Sequence, residues 1–340
     1  MFGIFEAKKI VKQLENIQKN VNFDYDIAEN YHIEKDASEL IKNTYYFAAH
    51  SYNKRQSLIL KLQVSSSHSE VYAYYLEGNN RFYLEQIEYT NNCPLKIFKD
   101  DGVWSIVFAG YFKKNNYKDL VRISFSGKFL SEQPVINYHD HLNNKKVANI
   151  IKKEKNHSFL EEYEKREFCE YEQLGILKGK IIVEGQHSLV EMPCVRKHFY
   201  GKLDWNKINN HLWVTAYDKE KQYSFHMSSL PSATIIESAC VKEKEFIFAN
   251  DVKYERQLLL KGSLPDNLNI LFEYENKTVG LHIKKIDDIK YIYQEGEYEF
   301  IQGVGEFLIE GVNYRGIIEV GYNKDKSRWF NGKDINKVIK

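Results

Sequence analysis

Residues 58–65 read Leu-Ile-Leu-Lys-Leu-Gln-Val-Ser. Leucine or valine stands at every second position from Leu58, while Lys61, Gln63 and Ser65 fall between them. Because successive side chains of a β-strand point to opposite faces, this period of two predicts a strand with one buried and one wet face. Such strands bury their apolar face against a second sheet or inside a closed barrel.

The same pattern recurs through the first half of the chain. Period-two runs occur at Val71–Leu76, Val103–Phe112 and Leu120–Phe129. Between strands lie stretches such as Glu77–Asn80 and Lys99–Gly102, which contain the Gly, Asn and Asp residues that favour turns. Short strands joined by tight turns predict antiparallel meanders.

Two segments have helical spacing instead. Ile10, Leu14 and Ile17 lie on one face of a helix predicted over 3–21. We interpret it as a surface helix packed on a barrel, with a helix lying on a membrane surface as the alternative. Residues 143–166 have the pattern of a helical linker. Strand patterning then resumes at Leu177–Val183, His211–Tyr217, Gln222–Leu230, Asn269–Tyr274, Val279–Ile286 and Glu306–Tyr322.

The order helix, strands, helices, strands differs from the strand–helix alternation of a nucleotide-binding sheet. It predicts a mainly β protein with two consecutive antiparallel barrels. We divide the chain into an N-terminal helical segment (1–30), a first β-domain (31–142), a helical linker (143–166) and a second β-domain (167–340).

Composition excludes several classes of function. The formal net charge is +1, from 48 basic and 47 acidic residues, so no charge excess attracts nucleic acid. Cys93, Cys169, Cys194 and Cys240 are scattered and form no Cys-x-x-Cys pair, which predicts reduced thiols. No apolar run approaches the roughly 18 residues of a membrane span, and the N-terminus lacks a signal-peptide pattern. We therefore predict a cytoplasmic protein without an integral membrane segment.

Tyr171–Gly175 reads Tyr-Glu-Gln-Leu-Gly, and after a strand Arg196–Trp205 reads Arg-Lys-His-Phe-Tyr-Gly-Lys-Leu-Asp-Trp. In these segments the chain resembles the double-lipocalin proteins related to carotenoid hydratases and the AttH-like group. Their second domain carries Tyr-Glu-Gln-x-Gly, a strand and turn, and then Arg-x-His-x-aromatic-Gly-x-x-Asp-Trp. The resemblance covers residues 40–325, is most specific over 170–230, and implies two consecutive lipocalin-like β-barrels.

Three residues depart from the family pattern. Lys197, Phe199 and Leu203 stand where the family usually has Asp, Ser and Arg. Chemistry that depends on those side chains is therefore not carried over to this chain. Family members with assigned roles hydrate a carotenoid end or close rings in polyketide-like chains. The resemblance thus implies a hydrophobic substrate of terpenoid, polyketide or lipid-like type.

The segment from Arg196 to Trp205 concentrates groups that could recognise or protonate a ligand. Acid catalysis needs a donor in a dry pocket, where desolvation raises the pKa of a carboxyl group. His198, Asp204 and Glu172 are the predicted catalytic residues. The structural alternative has Asp204 capping a turn or pairing with Arg196, and Trp205 filling the core. The predicted ligand-binding residues are Arg196, Tyr200, Trp205, Trp213 and His226.

Other motifs give weaker indications of function or none. His139-Asp140-His141 could present two imidazoles on one side of a strand, but a short His-x-His before Asn143-Asn144 is typical of a solvated loop, so we predict no metal. The sequence has no nucleophile elbow, P-loop or dinucleotide-binding glycine motif. We predict no cofactor.

Three functions remain open. A lyase or isomerase could fold a hydrophobic substrate in a barrel pocket, since enclosure alone preorganises reacting ends. A carrier could hold a lipid-like molecule in the same kind of cavity. A scaffold would have filled interiors and act through its surface.

Overall fold

The structure, a computed structural model, describes residues 2–20, 38 and 41–325, apart from gaps at 52, 116–119, 132, 138–140, 155–157, 165–167, 203, 206–207, 230–234, 243–244, 255–263, 265, 275–276 and 296. The helices are α1 (Phe2–Asn20), α2 (Asn144–Glu154) and α3 (Ser158–Glu164). The first sheet contains β1 (Ile41–Ser51), β2 (Gln56–Val64), β3 (Ser69–Glu77), β4 (Asn80–Tyr89), β5 (Leu95–Asp100), β6 (Val103–Lys114), β7 (Leu120–Leu130), β8 (Val135–Ile136), β9 (Phe168–Val183) and β10 (Gln186–Lys202). The second contains β11 (Asn210–Tyr217), β12 (Gln222–Ser229), β13 (Ile235–Lys242), β14 (Phe246–Phe248), β15 (Asp251–Tyr254), β16 (Asn267–Tyr274), β17 (Lys277–Glu295), β18 (Tyr298–Ile309) and β19 (Val312–Asn323).

Eight strands of the first sheet close into a barrel. Neighbouring strands follow the order β1, β2, β3, β4, β6, β7, β9 and β10, and β10 pairs back with β1. The β9–β10 hairpin supplies the closure, with Phe129 of β7 opposite Leu177 on one side and Tyr45 of β1 opposite His198 on the other. Closure leaves this ring of strands without an unpaired edge.

The hydrogen bonding corrects one assignment made from the sequence. Strands β9 and β10 fall in the segment 167–340 that we assigned to the second β-domain, yet they pair with β1 and β7. The change of sheet therefore comes between Lys202 and Asn210, not in the helical segment 143–166. Period-two patterning shows that a segment is a strand, but it does not show which strand pairs with it. The division into independently folding domains stays a prediction.

The second sheet has nine strands in the order β14, β13, β12, β11, β19, β18, β17, β16, β15. Among the described residues its two edge strands do not pair with each other. They are consecutive in sequence, and Asn250 between them donates its N–H to the carbonyl of Glu273 at 2.6 Å. The mainly β fold with two consecutive barrels is confirmed: the first is a closed barrel and the second is a half-barrel.

Two hairpin turns share one backbone conformation. Glu184-Gly185 between β9 and β10 has φ values of 49° and 85°, and Glu310-Gly311 between β18 and β19 has 50° and 81°. Positive φ at both central residues defines the type I′ turn, whose twist matches paired strands. The single run predicted at Glu306–Tyr322 is therefore two strands joined at this turn.

Side chains fill the concave side of both sheets. Phe47, Leu60, Tyr75, Phe108 and Leu177 are among those packed inside the first barrel. The second sheet encloses its own apolar cluster, which includes Leu212, Phe225, Phe272, Leu281 and Phe307.

A third apolar layer joins the two sheets back to back. All eight residues of β11 are buried, so this strand is covered on both faces. Tyr46 of β1 packs edge-on against Trp213 of β11, with ring centroids 5.6 Å apart. The Tyr217 hydroxyl crosses the layer to donate to the carbonyl of Ala48. The layer also contains Ile59, Tyr72, Tyr74, Leu76, Ile208, Tyr298, Phe300, Val304 and Ile317.

The helices form a separate cluster. Ile10 and Leu14 of α1 pack against Val147 and Ile151 of α2, which confirms the apolar stripe predicted for the first helix. The interpretation that this helix packs on a barrel is wrong, because its stripe packs against the other two helices. Lys146 of α2 reaches the second sheet, where its ammonium lies 3.0 Å from a carboxylate oxygen of Asp251. Within the described residues, no helix has both the length and the apolar character to cross a bilayer.

The barrel closure depends on a close approach of two glycines. Gly127 of β7 is opposite Gly179 of β9, and a Cβ on Gly179 would lie 2.5 Å from the carbonyl oxygen of Ser126. We expect Gly179→Ala to lower the unfolding free energy by about 1–3 kcal/mol, because backbone has to shift. Urea denaturation measures it. Gly280→Ala is the control, since its nearest atom is a side-chain methyl at 3.3 Å; equal losses would contradict the prediction.

Candidate functional site

A pocket lies between the two sheets. Its volume is about 60 Å³, which is room for a few water molecules, because one water needs roughly 10–15 Å³. We call it the inter-sheet pocket; it is lined by Lys42, Thr44, Tyr46, Lys61, Gln63, Glu170, Lys197, Phe199, Trp205, Trp213, Phe300, Gln302 and Glu319.

Strand alternation places these side chains. Tyr45 and Phe47 of β1 pack inside the first barrel. Thr44 and Tyr46, the alternate residues of the same strand, therefore point outward and line the pocket. Lys197 of β10 points outward for the same reason, because it stands opposite Tyr46 in the strand pairing.

Lys197 lines the pocket together with two other lysines, Lys42 and Lys61. Its ammonium lies 2.5 Å from a carboxylate oxygen of Glu170, and both side chains are only 14% exposed. The ammonium also lies 4.2 Å from the ring centroid of Trp213, within cation–π range. Burial alone would lower the pKa of Lys197, but the carboxylates of Glu170, Glu319 and Glu172 raise it above its usual value. The lysine is therefore charged at neutral pH.

Glu319 is the centre of a hydrogen-bonded chain. One carboxylate oxygen is 3.0 Å from Nε2 of His211, and the other accepts a hydrogen bond from the amide of Gln302. The second ring nitrogen of His211 lies 2.7 Å from the Tyr298 hydroxyl, and Gln302 accepts from the Tyr46 hydroxyl at 3.4 Å. Burial would raise the pKa of Glu319, but the hydrogen bond and charge of His211, with Lys197, bring it to about 2.

This arrangement combines charge with aromatic walls. A ligand oxygen could contact the ammonium of Lys197 while an apolar frame lies on the rings. In a site with little water, a fixed charge interacts with a ligand more strongly than it would in bulk solvent. The rings that line the pocket belong to Tyr46, Phe199, Trp205, Trp213 and Phe300.

His198, predicted to be catalytic, lies on the opposite face of the barrel wall, inside the first barrel. Its Nδ1 is 2.8 Å from the Tyr171 hydroxyl, and its Nε2 is 2.7 Å from the amide oxygen of Asn43. Tyr45 stacks on its ring at 4.5 Å. Burial, and secondly the charge of Arg196, lower its pKa well below 6.5, so the imidazole is neutral.

Arg196 and Tyr200, predicted to bind ligand, share this interior face of β10. The Arg196 guanidinium lies 4.7 Å from the ring centroid of Trp104 and donates to the amide oxygen of Gln173 at 3.0 Å. Tyr200 is half-buried, with its ring centroid 5.9 Å from that of His198. Arg196 is only 1% exposed, and its guanidinium is enclosed by aromatic faces.

The other predicted residues are on the inter-sheet side or near it. Trp205 and Trp213 line the inter-sheet pocket. Glu172 is fully buried on the inter-sheet face of β9 and accepts a hydrogen bond from the amide of Gln222 at 3.2 Å. His226 stands opposite Trp213 in the strand pairing, with its ring 6.5 Å from that of His211. Asp204 is half-buried just after β10.

The structure therefore brings together only part of the predicted set. His198 and Glu172 lie on opposite faces of the β9–β10 hairpin, because Glu172 pairs with Lys197 and not with His198. The roles of all eight predicted residues stay predictions. His139 and Asp140 lie outside the described residues, while His141 stacks on Phe248 at 3.8 Å.

Sequence reasoning missed the charged residues of the inter-sheet pocket. Glu170 and Glu319 each stand between apolar or aromatic neighbours in a strand, whereas Lys197 stands between Arg196 and His198. A charge within such a strand is a signal, because full burial of an unpaired charge is costly. Lys197 was noted only as a departure from a family motif. Strand alternation could have separated it from His198, but no pattern could have paired it with Glu319 of a distant strand.

No model of a known protein family matches the chain, and no curated protein matches its sequence. Solved structures do match. Kievitone hydratase from Nectria haematococca superposes with a TM-score of 0.52 at 10% identity, over 84% of this chain and 89% of that one. A putative AttH from Nitrosomonas europaea superposes with a TM-score of 0.47 at 11% identity, over 84% of this chain and 92% of that one. CghA with Sch210972 superposes with a TM-score of 0.48 at 8% identity, over 83% of this chain and 88% of that one.

These likenesses concern the fold. The chain has the lipocalin-like double-barrel architecture that the motifs at 171–175 and 196–205 predicted, so the resemblance is confirmed at the level of fold. One of these structures with the same architecture is a hydratase. Fold alone does not assign a reaction or a substrate, because function depends on the residues of the site.

We expect His198→Ala to lower the unfolding free energy by about 1–3 kcal/mol, because the Tyr171 hydroxyl and Asn43 amide lose a buried partner. Urea denaturation followed by circular dichroism measures it. His187→Ala on the same strand is the control, since His187 is exposed and surface changes usually stay within about 0.5 kcal/mol. Equal stability of both variants would contradict a structural role for His198.

Glu319 predicts a pH dependence of stability. Its pKa of about 2 in the folded chain lies below its ordinary value of 4.5. The carboxylate therefore stabilises the fold fully above pH 4.5, and this contribution is lost as the pH falls toward 2. The stability difference between the wild type and Glu319→Gln should shrink as the pH falls from 4.5 to 3.

Urea denaturation at each pH measures this difference. Glu191→Gln is the control, because that side chain is 64% exposed in its ion pair with Lys178. A gap between wild type and Glu319→Gln that stays constant down to pH 3 would show that Glu319 is not held as a carboxylate by its neighbours.

Proposed function

We propose that the protein is a cofactor-independent lyase or isomerase of the hydratase or cyclase type. Its substrate is a hydrophobic terpenoid, polyketide or lipid-like molecule that carries a polar oxygen. The reacting end of this molecule binds in the inter-sheet pocket. The observation that carries the proposal is the charged ammonium of Lys197, held against the Trp213 ring beside Glu170 inside that pocket.

The walls of the pocket suit an apolar substrate. Aromatic side chains offer flat surfaces on which rings or unsaturated chains pack, and a few polar groups then set the orientation. Ligand sites commonly have volumes of roughly 300–1,000 Å³, far above the 60 Å³ here. Only the reacting end of a substrate therefore fits. The half-buried side chains of Phe199 and Trp205 form the rim on which the remainder lies.

Lys197 would stabilise developing negative charge. When a proton leaves a carbon next to a carbonyl group, or when water adds to a double bond conjugated with that group, negative charge builds on the carbonyl oxygen. A fixed cation at that oxygen, in a site with little water, lowers the barrier without reorganisation. The carboxylate of Glu170 is placed to accept the proton of the water or of the carbon. Neither step requires a cofactor.

The Glu319 chain would keep Lys197 in place. Its buried carboxylate attracts the ammonium from the second sheet while Glu170 contacts it from the first. His211 and Gln302 fix both oxygens of Glu319. A charge held by the scaffold in this way is already oriented when the substrate arrives, which is the basis of electrostatic preorganisation. The shared fold with kievitone hydratase is consistent with this proposal.

A carrier is the second candidate. Lys197 already has a carboxylate partner, and the interior of the first barrel is packed with side chains. A neutralised polar site between aromatic walls is sufficient for holding a hydrophobic molecule without converting it.

Incubation with extracted hydrophobic metabolites, followed by mass spectrometry of bound and free species, separates the candidates. We expect one metabolite to be converted at a rate that depends on protein concentration. Retention of an unchanged molecule would support the carrier. If no molecule is bound or converted, both proposals fail and the scaffold is favoured.

Substitution tests the site itself. We expect Lys197→Met to lower turnover about 10²–10³-fold, because it removes the group that stabilises the transition-state charge. Lys197→Arg keeps the charge and should retain more activity than the methionine variant. Lys178→Met is the matched control, since Lys178 forms an exposed ion pair between the same two strands. Thermal unfolding verifies that each variant is folded. Full activity of folded Lys197→Met would contradict the proposal.

A further inference from the structure

A second cluster of charged side chains lies where β2 turns into β3. His68 in the turn, Glu70 in β3 and Glu88 in β4 place one ligand atom each within 4.8 Å of one another. Glu70 and Glu88 are directly opposite in the strand pairing, so they share one face of the sheet. The cluster therefore joins three consecutive elements, and its geometry is set by strand register as well as by the local turn.

The turn holds the imidazole of His68 by its other nitrogen. Nδ1 lies 2.8 Å from the Ser67 hydroxyl and 3.1 Å from the Ser65 hydroxyl. The Ser65 hydroxyl donates to the carbonyl of His68 at 3.1 Å, so toward Nδ1 it acts as an acceptor. Metal-binding histidines are held by this kind of second hydrogen bond. The contact of Nε2 with a carboxylate oxygen of Glu70 is a hydrogen bond that requires a proton on Nε2, and a bound metal ion would take the place of that proton.

The charges of the cluster fit a cation. Nε2 of His68 lies 3.1 Å from a carboxylate oxygen of Glu70, whose side chain is only 9% exposed. Glu88, directly opposite in the next strand, is exposed to solvent. Like charges opposite each other in a sheet are destabilising, and a divalent ion between them converts this repulsion into attraction. One nitrogen and two oxygens are then its protein ligands.

We propose that His68, Glu70 and Glu88 bind a divalent transition-metal ion, of which Zn²⁺ is the representative. Imidazole is a good ligand for Zn²⁺ and its neighbours in the periodic table, whereas Ca²⁺ and Mg²⁺ prefer sites made only of oxygen. Three protein ligands leave a coordination position for water on the side of the exposed Glu88. The sequence predicted no metal, and no sequence motif marks these three residues.

The cluster is next to the inter-sheet pocket. Glu70 stands opposite Gln63 of β2, which lines that pocket and accepts a hydrogen bond from Thr44. Neighbouring strands are about 4.8 Å apart, so Glu70 lies one strand spacing from Gln63 in the pocket wall. A bound ion would link the turn to β3 and β4 and restrict the motion of the strands next to Gln63 in the pocket wall. The metal site does not depend on the reaction proposed for the pocket.

Equilibrium dialysis of the full chain tests the site. The chelator-treated protein is dialysed against ZnCl₂ and, in parallel, CaCl₂, and bound metal is measured by elemental analysis. We expect one saturable Zn²⁺ per chain, at least tenfold weaker Ca²⁺ binding, and a Zn²⁺-dependent rise in the unfolding temperature. No saturable Zn²⁺ binding would overturn the proposal.

Variants locate the ion. We expect His68→Ala and Glu70→Gln to weaken Zn²⁺ binding more than tenfold. Ser67→Ala, which removes an outer hydrogen bond, should weaken it by about tenfold. His187→Ala, at an exposed histidine of β10, should leave the affinity unchanged.

Circular dichroism of the metal-free variants verifies folding. If the buried Glu70 variant does not fold, Glu88→Gln replaces it, because Glu88 is exposed. Wild-type Zn²⁺ affinity in folded His68→Ala and Glu88→Gln would place the ion elsewhere and overturn the proposal.

Discussion

The back-to-back packing of two curved sheets is the constraint on which the rest of the structure depends. Strands β1 and β11 are covered on both faces, and Tyr46 meets Trp213 between them. Each sheet already encloses an apolar core on its concave side. The outward faces would be solvated in isolated barrels, but here they are buried against each other. Every polar group on those faces therefore needs a partner within the protein.

The charged residues between the sheets follow from this constraint. Lys197 is paired with Glu170, and Glu319 with His211, so each buried charge has an opposite charge or a hydrogen-bond donor next to it. A buried ion pair is weak evidence for stability, because desolvation offsets much of the attraction. Perturbed charges that line a cavity are instead typical of functional sites. This contrast supports a site between the sheets over one inside the first barrel.

Sequence patterns predicted much of the fold and little of the site. The helical stripe of Ile10 and Leu14 depends on neighbours within a few residues, and the structure agrees with it. Alternation at Leu58–Val64 predicted the strand correctly, but the face expected to be wet is buried as well, because Ile59 and Gln63 lie between the two sheets. The motif at 196–205 drew attention to His198, yet the pocket contains Lys197 beside it in sequence. One position along a strand moves a side chain to the opposite face. Which face holds a cavity depends on the packing of the whole chain.

The sequence by itself indicated many of the strands and the helical segments, and its motifs, through their resemblance to a known family, indicated the lipocalin-like double barrel. These features are local, because period, turn geometry and motif spacing involve residues close along the chain. Only the tertiary structure decided that β9 and β10 complete the first barrel, and that Lys197 and Glu319 share a pocket. These features join distant residues, and strand pairing and sheet packing select such partners through contacts that no local pattern encodes.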